Sequence, residues 1–218
     1  MLRLHYYPGN ANLAPHVLLE EMGVKYELAL VDRSVNAQTS PEYLKLNPAG
    51  RIPVLIDGEL VVFETAAIAL HLVDTHPNAG LAPAVGSAAR ARFYQWLMYL
   101  TNTVQAEMHP FFYPEQHTTA LSGASAVKAK AEARLGDMFA LLDRELAARG
   151  PYLLGNAYSA LDPYLAMLVR WGRSFARPPI ETAHVGKLAR LVAERPAFVR
   201  AMQQEGLAEP YFSVVQKA

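Results

Sequence analysis

The stretch Asn47-Pro48-Ala49-Gly50-Arg51-Ile52-Pro53-Val54-Leu55 leads from a loop into a short apolar strand. Because proline cannot donate to the hydrogen-bond ladder of a sheet, Pro53 suits the first residue of a strand at an edge or a special turn. A cis Ile52–Pro53 bond would leave the amide and carbonyl of Ile52 facing outward, where the backbone of a ligand can pair with them. The alternative is an ordinary loop proline. Taken alone, the motif favours that alternative, because only about 5–6% of X-Pro bonds are cis.

A hairpin and the start of a helix follow this stretch. Residues 54–56 and 60–63 are apolar and are separated by Asp57-Gly58-Glu59, and Asp-Gly between two apolar runs is a strong hairpin signal. A helical pattern then begins at Glu64. Free amides and partial positive charge at a helix start suit a ligand carboxylate, Thr65 adds a hydroxyl, and the Glu64 carboxylate suits a ligand amine. The motif therefore fits a zwitterionic amino-acid group, although a plain N-terminal turn, where glutamate is favoured electrostatically, is the simpler interpretation of Glu64 alone.

Outward from this stretch, the chain separates into a mixed first third and a helical remainder. Apolar patterns predict strands at 2–6 and 26–31 around a helix at 13–22. With the hairpin and the helix at about 64–76, the order is β-α-β and then β-β-α, which makes a small four-stranded sheet. Further helices are predicted near 87–108, 123–148, 160–173, 183–193 and 196–204. We therefore predict one domain at residues 1–77, a linker at 78–86 and an all-helical domain at 87–218.

Composition and charge exclude several classes of function. The 218 residues are 52% hydrophobic, which provides for a sizeable core. Lys plus Arg and Asp plus Glu each total 20, so the basic excess of a nucleic-acid-binding protein is missing. We find no apolar run long enough for a membrane span and no signal-peptide pattern, and we expect a cytoplasmic protein. The absence of cysteine removes disulfides and a cysteine nucleophile, and the histidine spacing predicts no metal site.

The two motifs lie eleven residues apart across one hairpin, and a strand, loop and helix precede them at 6–12. Together they resemble the thioredoxin-like domain of cytosolic glutathione S-transferases. In the second half, Ser159-Ala160-Leu161-Asp162 resembles the capping box of that family, in which Ser159 caps the backbone while Asp162 reaches back. Residues 164–171 resemble its buried core helix. The resemblance covers essentially the whole chain and implies an α/β thioredoxin-like N-terminal domain (β-α-β-α-β-β-α) followed by an all-α C-terminal domain.

The resemblance implies which residues bind glutathione. Ile52 pairs through its backbone with the cysteinyl unit, next to a cis Pro53. Glu64 and Thr65 hold the γ-glutamyl end. Positions near the glycyl end or beside this edge are further candidates, namely Arg51, Arg33 and Asn36.

The catalytic position is where the chain departs from the family. Residues 6–16 are most similar to bacterial beta-class enzymes, which carry a cysteine at the position of Ala11 and a histidine at the position of Gln105. Other classes use a serine or tyrosine that donates a hydrogen bond to the glutathione sulfur. The resemblance therefore implies that a side chain of this loop donates the hydrogen bond to the glutathione sulfur.

Three residues of the loop are candidates for this donor. Alignment from the helix places the catalytic position at Asn12, and alignment from Pro8-Gly9 places it nearer Asn10. Tyr7 is the nearby phenol, although strand alternation equally turns it into the core. We favour Asn12, followed by Asn10 and Tyr7. The competing interpretation is that Asn12 caps the following helix.

The resemblance also implies a second substrate and a partner subunit. A small, largely hydrophobic electrophile should lie between the domains, and Asn102 and Gln105 are candidates to contact glutathione, including that of the other subunit. The long helix and the loop after it supply the surrounding side chains, for which core packing is the alternative: Tyr99, Met108, His109, Phe111, Phe112 and Tyr113. We expect a homodimer, because an apolar face at Trp96, Leu97 and Leu100 would be costly to expose.

The leading hypothesis is a glutathione S-transferase that acts in detoxification by conjugating the glutathione thiolate to this electrophile. One alternative keeps glutathione and changes the reaction to peroxide or disulfide reduction. Another is a non-catalytic binding protein with the same fold, because a fold alone does not determine a reaction.

Overall fold

A mixed four-stranded sheet organises the N-terminal part of the chain. Its strands are β1 (Leu2–Tyr6), β2 (Tyr26–Leu30), β3 (Val54–Asp57) and β4 (Leu60–Phe63), in the order β2-β1-β3-β4. The strand β1 is parallel to β2, while β3 is antiparallel to both β1 and β4. The predicted crossover and hairpin are therefore confirmed, with strand ends shifted by one residue at 30 and 57.

Three helices complete this part of the computed structural model, which describes residues 1–215. They are α1 (Leu13–Met22), α2 (Pro41–Leu44) and α3 (Thr65–Thr75). The order of elements is the predicted β-α-β-α-β-β-α of a thioredoxin-like domain. Side chains from β1, α1, β3 and α3 are fully buried and form the core on one side of the sheet: Leu4, Leu13, Val17, Leu18, Leu55, Ile68 and Leu72.

A smaller apolar cluster contains Val31, Tyr43, Ile52 and Val54. Tyr7 packs against it from the end of β1. This cluster anchors the residues on either side of Pro53 and so determines where β3 begins.

The remainder of the described chain is helical, as predicted. The helix expected at 87–108 consists of α4 (Ala88–Met98), a π-helical stretch (Tyr99–Gln105) and α5 (Ala106–Phe112). It is followed by α6 (Ala124–Arg149), α7 (Leu161–Trp171), α8 (Val185–Ala193) and α9 (Pro196–Gln204). No helix within residues 1–215 combines the length and apolar character needed to cross a membrane.

The capping box before α7 forms as expected. The backbone N–H of Ser159 donates to Asp162 Oδ2 at 2.7 Å, and the Leu161 N–H lies 3.4 Å from Ser159 Oγ. Asp162 also accepts from the N–H of Leu153 at 3.0 Å. Every residue of α7 from Leu161 to Val169 is buried, so the predicted core helix is confirmed.

The division of the chain into units differs from the expectation in one segment. Met1–Ala82 and Val192–Tyr211 form the first compact unit, and Pro83–Leu191 with residues 212–215 form the second. We expected 192–211 within the helical domain. Instead α9 packs against α1, and its buried face includes Phe198 and Met202. Periodicity reveals an amphipathic helix but does not say which core covers it.

Asp143 on α6 holds the start of α8. Its Oδ1 accepts hydrogen bonds from the N–H groups of His184 and Val185 at 2.8 and 2.9 Å. Burial by itself would raise the pKa of Asp143. The hydrogen bonds from Val185, His184 and the Thr182 hydroxyl outweigh this effect, so the pKa of Asp143 lies below its ordinary value.

We predict that Asp143→Asn lowers the free energy of unfolding by about 1 kcal/mol at pH 7, the usual value of a helix-cap interaction. A carboxyl pKa that is lower in the folded state adds stability above the unfolded-state pKa. That stability is lost as the pH falls through the folded-state pKa. Urea unfolding should therefore show the two proteins converging as the pH falls from 7 to about 3. Asp137→Asn, an exposed change on the same helix, serves as the control. An equal difference at both pH values would contradict this role.

Candidate functional site

The register of the sheet brings three separate segments to the same end. In the hairpin of β3 and β4, Val54 pairs with Phe63. Pro53 immediately precedes Val54 and Glu64 immediately follows Phe63, so both lie at the same end of the hairpin. Val54 also lies opposite His5, which places the loop after β1 at this end. The segments 7–12, 52–53 and 64–65 are therefore neighbours, although they are distant in sequence.

The first segment of the site is the entrance to β3. The Ile52–Pro53 peptide is cis, as the family resemblance implied and against what the motif alone favoured, and both residues are buried. The carbonyl before it, that of Arg51, accepts hydrogen bonds from the Tyr43 hydroxyl at 2.9 Å and from Asn47 Nδ2 at 2.7 Å. Within residues 1–215, no hydrogen bond engages the N–H or C=O of Ile52. Those two groups remain available to an extended ligand.

The second segment is the start of α3. Glu64 precedes the helix with φ 72° and ψ 117°, and its carbonyl accepts from the Ile68 N–H at 2.9 Å. A positive φ at a residue other than glycine costs of order 1–3 kcal/mol and is found most often at functional sites. The Glu64 side chain is exposed and has no hydrogen bond to another described residue, while Thr65 is buried at the first helical position. This arrangement presents a carboxylate beside free helix amides.

Exposed polar residues flank these two segments. Arg51 is exposed immediately before Ile52. Arg33 and Asn36 are exposed in the short turns after β2, where Asn36 adopts a left-handed conformation with φ 56°. All three are consistent with an anionic ligand group at this end of the sheet.

The structure contradicts Asn12 as a ligand donor. Its side chain is 0% exposed, Oδ1 accepts from the Tyr7 N–H at 3.1 Å, and Nδ2 donates to Glu205 Oε1 at 2.8 Å. The capping interpretation is also wrong, because the Asn12 side chain forms no cap hydrogen bond with α1. Asn12 instead links the end of β1 to the residue after α9.

Tyr7 stays a candidate, although its ring is anchored. Its ring packs against the apolar cluster of Tyr43, Ile52 and Val54, and the guanidinium carbon of Arg33 lies 5.8 Å from the ring centroid. The Tyr7 side chain is half-buried, and its hydroxyl forms no hydrogen bond with a described residue, so the two alternatives that the sequence left open both stand.

Asn10 keeps a donor for a ligand. Its backbone N–H donates to the Tyr7 carbonyl at 3.1 Å, and its Oδ1 accepts from the Ala11 N–H at 2.7 Å. Its Nδ2 group forms no hydrogen bond with any described residue, and the side chain is half-buried. Asn10 therefore combines a fixed backbone with an unused amide donor, which Asn12 does not.

Sequence analysis missed two residues that support this loop. The Glu205 carboxylate is 3% exposed and contacts the Gly9 N–H, Asn12 and His16. His16, one of the histidines whose spacing predicted no metal site, is fully buried in α1. A polar residue within an apolar helical face signals a buried partner, but His16 and Glu205 lie 189 positions apart, so the sequence does not identify the pair.

The candidates in the second unit lie in or next to the π-helical stretch. Asn102 is exposed, whereas the side chain of Gln105 accepts a hydrogen bond from the buried hydroxyl of Tyr164. Rare π-helical geometry within a helix often accompanies a functional site. Asn102 also borders a groove of about 590 Å³ with Glu107 and His117.

Several apolar residues of these helices pack in the core. Trp96, Leu97 and Leu100 are buried within the chain, so the expected exposed apolar face is wrong. Met108 and Phe111 are also buried, whereas Phe112 is exposed. In the described part of the chain, no cluster of three or more His, Cys, Asp or Glu side chains has a geometry that would hold a metal ion.

Comparisons with known proteins identify the family. Residues 2–74 match the family model "Glutathione S-transferase, N-terminal domain". A relative from Xanthomonas campestris, glutathione S-transferase GST-4.5, is 31% identical over 174 residues, which are 78% of this chain and 82% of the relative. A sphingomonad glutathione S-transferase structure, complexed with glutathione, is 34% identical with a TM-score of 0.82, covering 94% of this chain and 100% of that one. A beta-class enzyme from Sphingomonas chungbukensis is 28% identical with a TM-score of 0.81 and the same coverage. The chain belongs to the glutathione S-transferase family.

Proposed function

We propose that the protein is a glutathione transferase that conjugates the glutathione thiolate to a small, largely hydrophobic electrophile. The observation that carries this proposal is the meeting of the open Ile52 backbone, the Glu64-Thr65 helix start and the Asn10 loop at one end of the sheet. An extended peptide with an amino-acid group at one end fits these three segments together. The similar sphingomonad structure is complexed with glutathione.

Each part of glutathione has a proposed partner. The amide and carbonyl of Ile52 pair with the backbone of the cysteinyl unit beside Pro53. The Glu64 carboxylate binds the α-amino group of the γ-glutamyl unit, and the Thr65 hydroxyl with the helix amides binds its carboxylate. The glycyl carboxylate is then left to the exposed polar groups of Arg51, Arg33 and Asn36.

The thiolate is stabilised without a cysteine of the protein. Ala11 and Gln105 occupy the positions of the beta-class cysteine and histidine, so we propose a beta-class-like chain that activates glutathione only by hydrogen bonding. A thiol pKa of about 8.5 leaves a few per cent of thiolate at pH 7. Lowering that pKa by two units requires about 2.7 kcal/mol. A donor to a charged acceptor supplies up to about 3 kcal/mol, and Asn10 Nδ2 is our proposed donor.

The reaction then needs only the thiolate and a bound electrophile. The sulfur lone pair forms a bond to the electrophilic carbon, the leaving group departs with its bonding electrons, and the thiol proton passes to solvent. Asn102 and Gln105 are proposed contacts for the ligands. We place the protein in the cytoplasm, where the glutathione pool is reducing.

A homodimer is also part of the proposal. The strand β4 lies at the edge of the sheet and exposes three apolar side chains, Leu60, Val61 and Phe63. An apolar edge strand is normally covered, because its unpaired backbone groups otherwise invite aggregation. Sedimentation at micromolar concentration should give a mass about twice the protomer's 24.0 kDa. A 24.0 kDa species would contradict the dimer.

The reaction type is tested by comparing glutathione-dependent rates on three substrates: a chloronitrobenzene, a hydroperoxide and a mixed disulfide. We expect retention on glutathione-agarose and the highest rate with the chloronitrobenzene. Faster turnover of either of the other two would make peroxide or disulfide reduction the activity. Retention on the resin without any turnover would indicate a binding protein.

We predict that Glu64→Gln weakens glutathione binding by about ten- to a hundredfold, because a charge-assisted hydrogen bond to the ligand amine is lost. Glu59→Gln is the matched control, because Glu59 is an exposed glutamate in the hairpin turn of the same unit. Calorimetry should show weaker binding for Glu64→Gln alone, with both melting temperatures near that of the wild type. An unchanged dissociation constant would remove Glu64 from the site.

We predict that Asn10→Ala raises the pKa of the bound glutathione thiol and lowers kcat, with little change in glutathione affinity. The loss of one donor to a charged sulfur should raise this pKa by about one unit or more. Thiolate absorbance, titrated on the glutathione complex, measures the change directly. Tyr7→Phe is the control and should titrate like the wild type. A shift in Tyr7→Phe but not in Asn10→Ala would reverse this assignment.

A further inference from the structure

A buried carboxylate follows the last helix of the described chain and touches the loop after β1. Glu205 Oε2 accepts from the Gly9 N–H at 2.7 Å, and Oε1 accepts from Asn12 Nδ2 at 2.8 Å. The same Oε1 lies 2.8 Å from Nδ1 of His16. All of these residues belong to the first unit.

These contacts hold the loop at two places. Gly9 is bound directly, and Tyr7 is bound through Asn12, whose Oδ1 accepts the Tyr7 N–H at 3.1 Å. Asn10 lies next to Gly9, and its own N–H donates to the Tyr7 carbonyl at 3.1 Å. A single carboxylate therefore determines the backbone position of the proposed thiol donor.

Contacts of His16 with Tyr26 and Gln204 keep the carboxylate in place. His16 Nε2 lies 3.0 Å from the Tyr26 hydroxyl and 2.9 Å from Gln204 Oε1. The imidazole is thus bound on both sides and has no freedom to leave Glu205. A polar network in which each member has its partners is rigid and specifies one geometry.

Stability alone is a weak reason for a carboxylate at this position. Removing a charged group from water is costly, and well-packed apolar side chains often replace a buried ionic cluster with no loss of stability. What the carboxylate provides, and an apolar side chain does not, is acceptors for the Gly9 amide and the Asn12 side chain. Accurate placement of a group that acts in a reaction depends on such supporting contacts.

We propose that Glu205 is a positioning residue of the thiol site, which holds residues 7–12 so that Asn10 faces the glutathione sulfur. The inference rests on the proposed function for the identity of the ligand. The anchoring of the loop is independent of the ligand, and it is tested separately below.

The principal variant is Glu205→Gln, which puts an amide group where an acceptor is needed. The double variant Asn12→Asp/Glu205→Gln restores the pattern, because the new carboxylate at position 12 accepts from both the Tyr7 N–H and the new glutamine. Met202→Ala is the control for lost stability, since Met202 is buried on α9 and forms none of these contacts.

The first measurement is amide hydrogen exchange of residues 7–12 without ligand. Glu205→Gln should accelerate exchange at Tyr7 and Gly9 by about tenfold, the factor expected for the loss of one hydrogen bond to a charged group. The double variant should recover most of this protection, and Met202→Ala should not accelerate exchange selectively in this loop. Unchanged exchange in Glu205→Gln would overturn the proposal, whether or not the protein binds glutathione.

The second measurement is made on the glutathione complex. Glu205→Gln should raise the pKa of the bound thiol by about one unit and lower kcat about tenfold, while the glutathione KM changes less than about threefold. The double variant should return both values toward the wild type. An unchanged thiol pKa, or an equal shift in Met202→Ala, would overturn the positioning role. A wild-type chain that binds no glutathione would instead overturn the proposed function, and the exchange experiment would still decide the anchoring.

Discussion

The pairing of Val54 with Phe63 is the constraint on which the site depends. It sets the distance between the Ile52–Pro53 segment and the start of α3. The pairing of His5 with Val54 places the loop after β1 at the same end of the sheet. A slip of one residue would turn every side chain of β4 to the opposite face and move Glu64 away from Ile52. Burial of Val54 and Leu55 opposes such a slip, because the two residues belong to cores on opposite faces of the sheet.

Local strain and local order are combined at this end of the sheet. Glu64 has an unfavourable positive φ, and the Ile68 hydrogen bond with the buried Thr65 and Ala66 holds it there. Ile52, by contrast, is held by its neighbours. The side chains of Tyr43 and Asn47 donate to the carbonyl of Arg51, and the N–H and C=O of Ile52 form no hydrogen bond with a described residue. Both arrangements prepare the backbone before a ligand arrives, which reduces the ordering cost of binding.

The loop after β1, beside these two segments, is ordered by a residue from the far end of the chain. Glu205 binds Gly9 and Asn12, and α9 is held against α1 by its apolar face and by the pair of Arg195 with Glu21. A chain without cysteine can still perform thiol chemistry when the thiol belongs to the ligand, and the protein then has to supply only a donor and a fixed position. The chemistry then depends on the backbone geometry that positions the donor and not on a reactive side chain of the protein.

The sequence by itself determined the elements and, through the family resemblance, the segments that we propose bind glutathione, because both depend on local signals. The Asp57-Gly58 turn, the proline at the entrance to β3, the Glu64-Thr65 helix start and the Ser159–Asp162 capping box each act within a few residues. Only the tertiary structure decided which loop residue is free to act. Asn10 and Asn12 are the same residue type two positions apart, and their difference comes from Glu205, which occupies the Asn12 side chain and leaves Asn10 Nδ2 unused. The same holds for α9, since burial by a partner far away in sequence leaves no trace in local periodicity.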